Sequence, residues 1–274
     1  MGVFSRFGND LYTGKVSFPF VGRRKLWFTI ALVLVAGSLL VPFFRPIQFS
    51  IEFTGGSQFT ISNTANVDQA PATNVMSEHG GSDAARVAQV GDSSIRIQTV
   101  NNDDFSNTEV EAIRSELATA YGVDVSDVTS TFIGPSWGQD ILGKALNGFV
   151  VFLVLVGVGL SLYFRSWRNA AGAIVALFHD LIVTVGIYCI FGFEVTPSTV
   201  IGLLTILGYS LYDTVVVFDK VRENTQSLTS QNSYTFAEST NLAVNQTLIR
   251  SINTSVTSIL PVASILFIGV WLLG

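Results

Sequence analysis

The sequence predicts a membrane-spanning helical bundle that carries one small α+β domain. Three observations predict it. First, five stretches each offer about 20 mostly apolar residues, the length a helix needs to cross a hydrocarbon core about 30 Å thick. Second, charged residues make up only 13% of the 274-residue chain, against 49% hydrophobic and a mean hydropathy of +0.49; ordinary soluble domains carry about 25% charged residues. Third, 13 of the 20 acidic residues fall in one segment, between the first and second apolar stretches.

Residues 1–25 form a basic N-terminal tail, and residues 26–44 are the first span, uncharged and closed by Arg45 and Pro46. Ala36-Gly37-Ser38 faintly matches a processing site. However, the apolar run exceeds the 7–15 residues of a signal core, so an uncleaved anchor is expected.

Residues 45–143 read as the α+β domain. Ile47–Phe53 and Ser57–Ile61 look like strands joined at Gly55-Gly56, and Gln69 to Glu78 is a weak helix candidate ended by Gly80-Gly81. Ser94–Val100 alternates Ile95, Ile97 and Thr99, a strand pattern. Ser106 and Glu109 have capping-box spacing. The helix they open sets Val110, Ile113 and Leu117 on one face and stops at Gly122, before a last strand over Val123 to Ile133. This order fits helices packed on one face of a sheet.

Span two covers residues 144–164, span three 169–193, span four 195–218 and span five 251–274, with a cytoplasmic loop over 219–250. Ten bases (Arg6, Lys15, Arg23, Arg24, Lys25, Arg165, Arg168, Lys220, Arg222 and Arg250) fall on one side if the chain threads back and forth. The short loop from Gly192 to Pro197 on the other side has none. The positive-inside rule then makes the N-terminus cytoplasmic and the acidic domain extracytoplasmic.

An ionisable side chain at mid-bilayer costs at least about 2.5–3.5 kcal/mol, so such residues point to function. His179 and Asp180 lie near the middle of span three, and Asp213 in the cytoplasmic half of span four. Arg250 starts span five at a similar depth and is followed by Ser251, Asn253, Thr254, Ser255, Thr257 and Ser258. Two readings of Asp213 stand side by side: a salt bridge to Arg250 that holds two helices, or a carboxyl that exchanges a proton as helices rearrange. Asp219, beside Lys220 and Arg222, reads as a solvated interfacial charge. His179 reads as a hydrogen-bonding neighbour of Asp180, since no further ligands have zinc-site spacing. Most of the Ser/Thr cluster reads as helix back-bonding or interhelical contact.

The sequence also narrows the chemistry. A net charge of −5 disfavours nucleic acid as a partner. The single cysteine, Cys189, excludes an internal disulfide framework. Gly55-Gly56 and Gly80-Gly81 lack the Lys-Ser/Thr of a phosphate loop. The two histidines, His79 and His179, surround no nucleophile elbow. No enzyme, cofactor or metal site is expected.

Gly208-Tyr209-Ser210-Leu211-Tyr212-Asp213, continuing through Asp219-Lys220-Val221-Arg222 to Asn224, resembles the fourth-span signature of the SecF family of protein-export membrane proteins. Glu52-Phe53-Thr54-Gly55-Gly56 is similar to that family's Asp-Phe-Thr-Gly-Gly motif. Ile133-Gly134-Pro135, the pair His179-Asp180, and Asn245 to Ser255 at the start of span five also match, in the family's order. The resemblance implies membership of the resistance-nodulation-division superfamily of proton-driven transporters. It implies that Asp213 carries the proton, with Arg250 its cationic partner and Asp180 and His179 nearby. Glu52, Gly55, Gly56, Gly208, Tyr209, Asp219, Arg222 and Thr254 would be motif positions.

The resemblance further implies a ferredoxin-like outer domain. It implies SecD as partner in a pseudo-symmetric bundle, and a role in drawing exported, unfolded polypeptides out of the SecYEG channel after SecA has pushed them in. A small-molecule or lipid exporter of the same superfamily and a non-transporting scaffold subunit are the alternatives. Three departures stand out. Glu52 replaces the usual Asp, Tyr212 replaces the common Asn, and the chain supplies five of the family's six spans.

Overall fold

The computed structural model describes residues 3–79, 85–99, 105–226 and 234–273. The expected break at Gly80-Gly81, the end of the strand at Val100 and the final Gly274 lie outside these residues. The chain divides into two units: residues 48–148 with 194–200 and 263–274, and residues 1–47, 149–193 and 201–262.

In the first unit, β2 (Gly56–Ile61), β3 (Ala85–Val90), β4 (Ser94–Thr99) and β5 (Val128–Ile133) form an antiparallel sheet in the order β3-β4-β2-β5. Two helices, α4 (Ala70–Glu78) and α5 (Asn107–Tyr121), bury Ala72, Met76, Ile113 and Leu117 against Phe59, Ile61, Ile95, Ile97 and Val128. Those strand residues share one sheet face because side chains alternate along a strand. The other face presents Gln58, Thr60, Arg96, Gln98 and Thr131.

Local chemistry fixes the ends of these elements. Ser106 and Glu109 complete the capping box of α5, and Gly122 closes it in the left-handed conformation at φ 66°. The Tyr121 hydroxyl donates to Asp68 O at 2.6 Å and accepts from the Ala72 N–H at 3.1 Å. Burial pushes that phenol above its ordinary range.

Where a strand was expected over Ile47–Phe53, the chain forms only the two-residue β1 (Gln48–Phe49) and then α3 (Ile51–Thr54). β1 pairs in parallel with β6 (Glu194–Val195). The glycine pair explains the turn into β2. Gly55 has φ 76°, and a Cβ there would lie 2.7 Å from Pro135 Cα; Gly56 has φ 130°, and a Cβ there would overlap the Thr99 carbonyl oxygen. Neither position admits a side chain.

Among the described residues, five helices are long and apolar enough to cross a membrane: α2 (Arg24–Phe44), α6 (Pro135–Phe164), α7 (Trp167–Phe191), α8 (Pro197–Gln226) and α9 (Phe236–Leu273). The second unit is built from most of these helices and from α1 (Val3–Tyr12), which lies within the basic N-terminal tail. A further difference concerns residues 219–250, expected as a loop. α8 continues to Gln226 and α9 starts at Phe236. Thr235 explains the early start, since its hydroxyl accepts from the Glu238 N–H at 3.3 Å while the Glu238 carboxylate accepts from the Thr235 N–H at 2.8 Å.

Contact between these helices rests on small residues. A Cβ on Gly186 of α7 would overlap Ser38 of α2, and one on Gly172 would lie 3.0 Å from the Phe218 ring of α8. Leu160, Phe164, Ala170 and Ala173 form the buried cluster, with Leu211, Val215 and Phe218 packed against it. No residue of α2 is buried, and only Leu207 of α8 is. Water would not tolerate such apolar exteriors; lipid or neighbouring helices would.

Candidate functional site

The polar residues of the second unit gather where α7, α8 and α9 carry them. On α7, His179 Nδ1 lies 3.1 Å from Asp180 Oδ1. The second Asp180 oxygen accepts a short hydrogen bond from the Ser210 hydroxyl of α8. Thr184 donates back to Asp180 O at 2.7 Å, an ordinary intrahelical bond. Asp180 therefore links two helices, and Ser210 is the linking donor. Three residues further along α8, and so on the same side of it, comes Asp213.

Two buried polar atoms in this region have no partner: His179 Nε2 and Asp213 Oδ1. Such atoms are uncommon in folded proteins and mark places where a proton, a water or a moving side chain completes the structure. Arg250 on α9 does not complete this one. Its Nη2 donates to the Tyr212 hydroxyl at 2.6 Å, with the guanidinium carbon 5.5 Å from the Tyr212 ring centroid. The ion pairs among the described residues do not include one between Asp213 and Arg250.

Arg250 also borders a cavity of about 340 Å³ lined by Tyr12, Tyr163, Val215, Asp219 and Lys220, among others. Lys220 pairs with Glu223 at 2.8 Å and stacks on Tyr12, its Nζ 5.5 Å from the ring centroid. Asp219 is exposed. Arg222 Nη1 reaches Tyr163 O at 3.5 Å. The Thr254 hydroxyl bonds Arg250 O at 2.9 Å within its own helix. Gly208 has open space where a Cβ would stand, and Tyr209 is exposed.

The remaining motif positions lie in the α+β unit. Glu52 lines a separate cavity of about 260 Å³ with Ser50, Arg96, Gln98 and Glu194. Glu194 holds Arg96 at 3.1 Å and accepts from Gln98 at 2.7 Å. Sequence reading passed over Ser210, Glu194 and Asn245. Asn245 is fully buried and grips the N-terminal segment: it accepts from the Phe18 N–H at 2.8 Å and donates to Phe18 O at 3.0 Å. Ser210 and Asn245 stand inside the motif stretches, which was the available signal. Glu194 had none beyond being an acid in a short loop. Among the described residues no cluster of His, Cys, Asp and Glu is placed to hold a metal ion.

Comparison with known proteins places the chain. The profile for "Protein export membrane protein SecD/SecF, C-terminal" matches residues 113–273, and that for the "SecD/SecF GG Motif" matches residues 41–62. The chain is 43% identical over its whole length to the protein translocase subunit SecF of Streptomyces coelicolor, spanning 72% of that protein. It is 40% identical to SecF of Mycobacterium leprae and spans 61% of it. The crystal structure of SecDF from Thermus thermophilus, described as a translocon-associated membrane protein, superposes with a TM-score of 0.80 at 30% identity. That match covers 93% of this chain and 34% of the Thermus one. The chain is a multi-pass membrane protein and belongs to the SecD/SecF family of protein-export membrane proteins, among its SecF members.

Proposed function

We propose that this chain is an accessory subunit of the Sec protein translocase that works with SecD and uses the proton gradient to promote late translocation and release of exported polypeptides. The SecDF relative from Thermus carries both names in one chain, which supports SecD as the partner. SecYEG and SecA would be met through the same machinery. In this reading the N-terminus is cytoplasmic, and residues 45–143 form a ferredoxin-like extracytoplasmic domain. The β-α-β-β-α-β order of β2 to β5 with α4 and α5 supports that assignment.

One observation carries the energetic part of the proposal: a buried, unpartnered carboxyl oxygen on Asp213. A charge left unpaired in such surroundings is expensive, so this side chain has reason to trade a proton as its neighbours move. Each proton crossing the membrane delivers about 2.3 kcal/mol per 100 mV, enough to bias two helix arrangements without nucleotide. Asp180, His179 and Ser210 supply the polar neighbourhood, and Arg250 supplies the cation for the ionised state.

The test is preprotein translocation into vesicles containing this subunit and SecD. Asp213→Asn is expected to insert normally and to lose the component of transport that responds to the proton gradient. Gradient-dependent transport equal to the parent's would remove Asp213 from the mechanism and leave a scaffold subunit.

A further inference from the structure

The geometry points to Tyr212 as a positioning residue that holds the Arg250 guanidinium away from Asp213 while that carboxyl carries its proton. This rests on the proton-carrying reading of Asp213 and adds to it the part that decides when the cation is released.

Adjacent residues on an α-helix project about 100° apart. Tyr212 and Asp213 therefore offer Arg250 two docking places separated by one step around α8. In the structure the guanidinium occupies the first, bonded to the hydroxyl at 2.6 Å and lying over the ring. The second is empty: Asp213 Oδ1 is buried and has no partner.

The two places differ in what they ask of the proton. A phenol hydroxyl is a neutral acceptor and holds arginine weakly, aided by the ring face. A carboxylate holds it strongly, but only once its proton has left. Loss of the Asp213 proton draws the guanidinium across; return of the proton releases it to Tyr212. The proton itself exchanges only at the Asp213 carboxyl, and nothing covalent changes at Tyr212. Other charges near these groups are engaged elsewhere or exposed. On α8 Lys220 is paired with Glu223 and Asp219 is exposed. On α7 Asp180 is taken by His179 and Ser210.

The experiment is infrared spectroscopy of the full chain with SecD in lipid vesicles at pH 7, reading the carboxyl C=O band that Asp213→Asn abolishes. Tyr212→Phe keeps the ring and removes the acceptor. Arg250 then has only Asp213 to bond, and an adjacent cation favours the ionised carboxylate, so the protonated population should fall by about threefold or more. Tyr212→Asn, which restores an acceptor, should return part of the band. A Tyr212 that only packs would leave the band unchanged in Tyr212→Phe, and that result overturns the inference. If Asp213→Asn removes gradient-driven transport while Tyr212→Phe leaves the band intact, Asp213 keeps its role and Tyr212 loses its own. If Asp213→Asn leaves transport intact, both fall.

Discussion

The two units treat buried polar atoms in opposite ways. Among the described residues, each contains two buried side-chain atoms without a hydrogen-bond partner: Ser50 Oγ and Arg96 Nε in the α+β unit, His179 Nε2 and Asp213 Oδ1 in the helical one. In the α+β unit both belong to residues around a polar cavity also lined by Glu52, Glu194 and Gln98, where water can serve as the missing partner. In the helical unit the orphans sit on spans whose other residues are overwhelmingly apolar, and hydrocarbon supplies no substitute. The first pair is therefore open to hydration, and the second depends on neighbouring side chains for a partner.

The same contrast holds for packing. The α+β unit has a continuous core in which Phe59, Ile61, Ile95, Ile97, Ile113 and Leu117 are fully buried. The helical unit leaves many of its large apolar side chains exposed, including Val154, Leu155 and Val262. One unit is held by burial within itself, and the other is completed by its surroundings.

Three measurements would break or sharpen this comparison. The largest effect is expected for Gly56→Ala. The backbone there is at φ 130°, and the new methyl would overlap Thr99 O. Strain and overlap together should cost about 3–5 kcal/mol, read as a lowered unfolding midpoint of the α+β unit in denaturant. An unchanged midpoint would mean that the glycine pair is not needed for the turn. Next, Ile97→Ala should cost about 2–4 kcal/mol, whereas Val154→Ala, on an exposed face of α6, should cost under about 0.5 kcal/mol. Equal losses would erase the distinction between the two kinds of packing.

The smallest effect concerns acid. Ser106 hydrogen bonds, its hydroxyl first, hold Glu109 below its ordinary value of 4.5, and the Ser126 backbone N–H holds Asp124 below 3.8. Both folded-state values are depressed, so the stabilisation is complete above the unfolded values and lost as pH falls through the folded ones. Protection of the first-turn amides of α5, taken relative to the intrinsic exchange rate at each pH, should therefore fall as pH drops below the ordinary 4.5 of the Glu109 carboxyl, a change Glu109→Gln should largely abolish. Identical pH profiles for parent and variant would exclude the cap as the cause.

Much of the architecture was legible because it follows from one-dimensional rules. A run of apolar residues long enough to cross a bilayer needs no tertiary information. Neither does the Ser106–Glu109 cap, the alternation of Ile95 and Ile97, or the glycine pair. What stayed hidden depends on neighbours. β3 (Ala85–Val90) is an edge strand paired only with β4, and its mixed sequence shows little alternation. α1 and the first turns of α9 are polar enough to resemble loop. In the site, sequence places Asp213 and Arg250 at similar depth. It does not give the rotation of their helices, and rotation decides that Arg250 meets Tyr212 and that Ser210 meets Asp180.

The grip of Asn245 on the N-terminal segment has a consequence for how that segment can vary. The amide engages the main-chain N–H and C=O of Phe18, and Asn241 likewise accepts from the Val21 N–H at 3.1 Å. Main-chain groups are the same whatever side chain they bear, proline excepted, so residues 18 and 21 can change side chain without losing these bonds, whereas Ser17 takes part through its hydroxyl, which accepts from Asn241 at 3.0 Å. Asn245 has no such freedom: aspartate lacks the donor, leucine lacks both groups, and glutamine sets its amide one methylene too far.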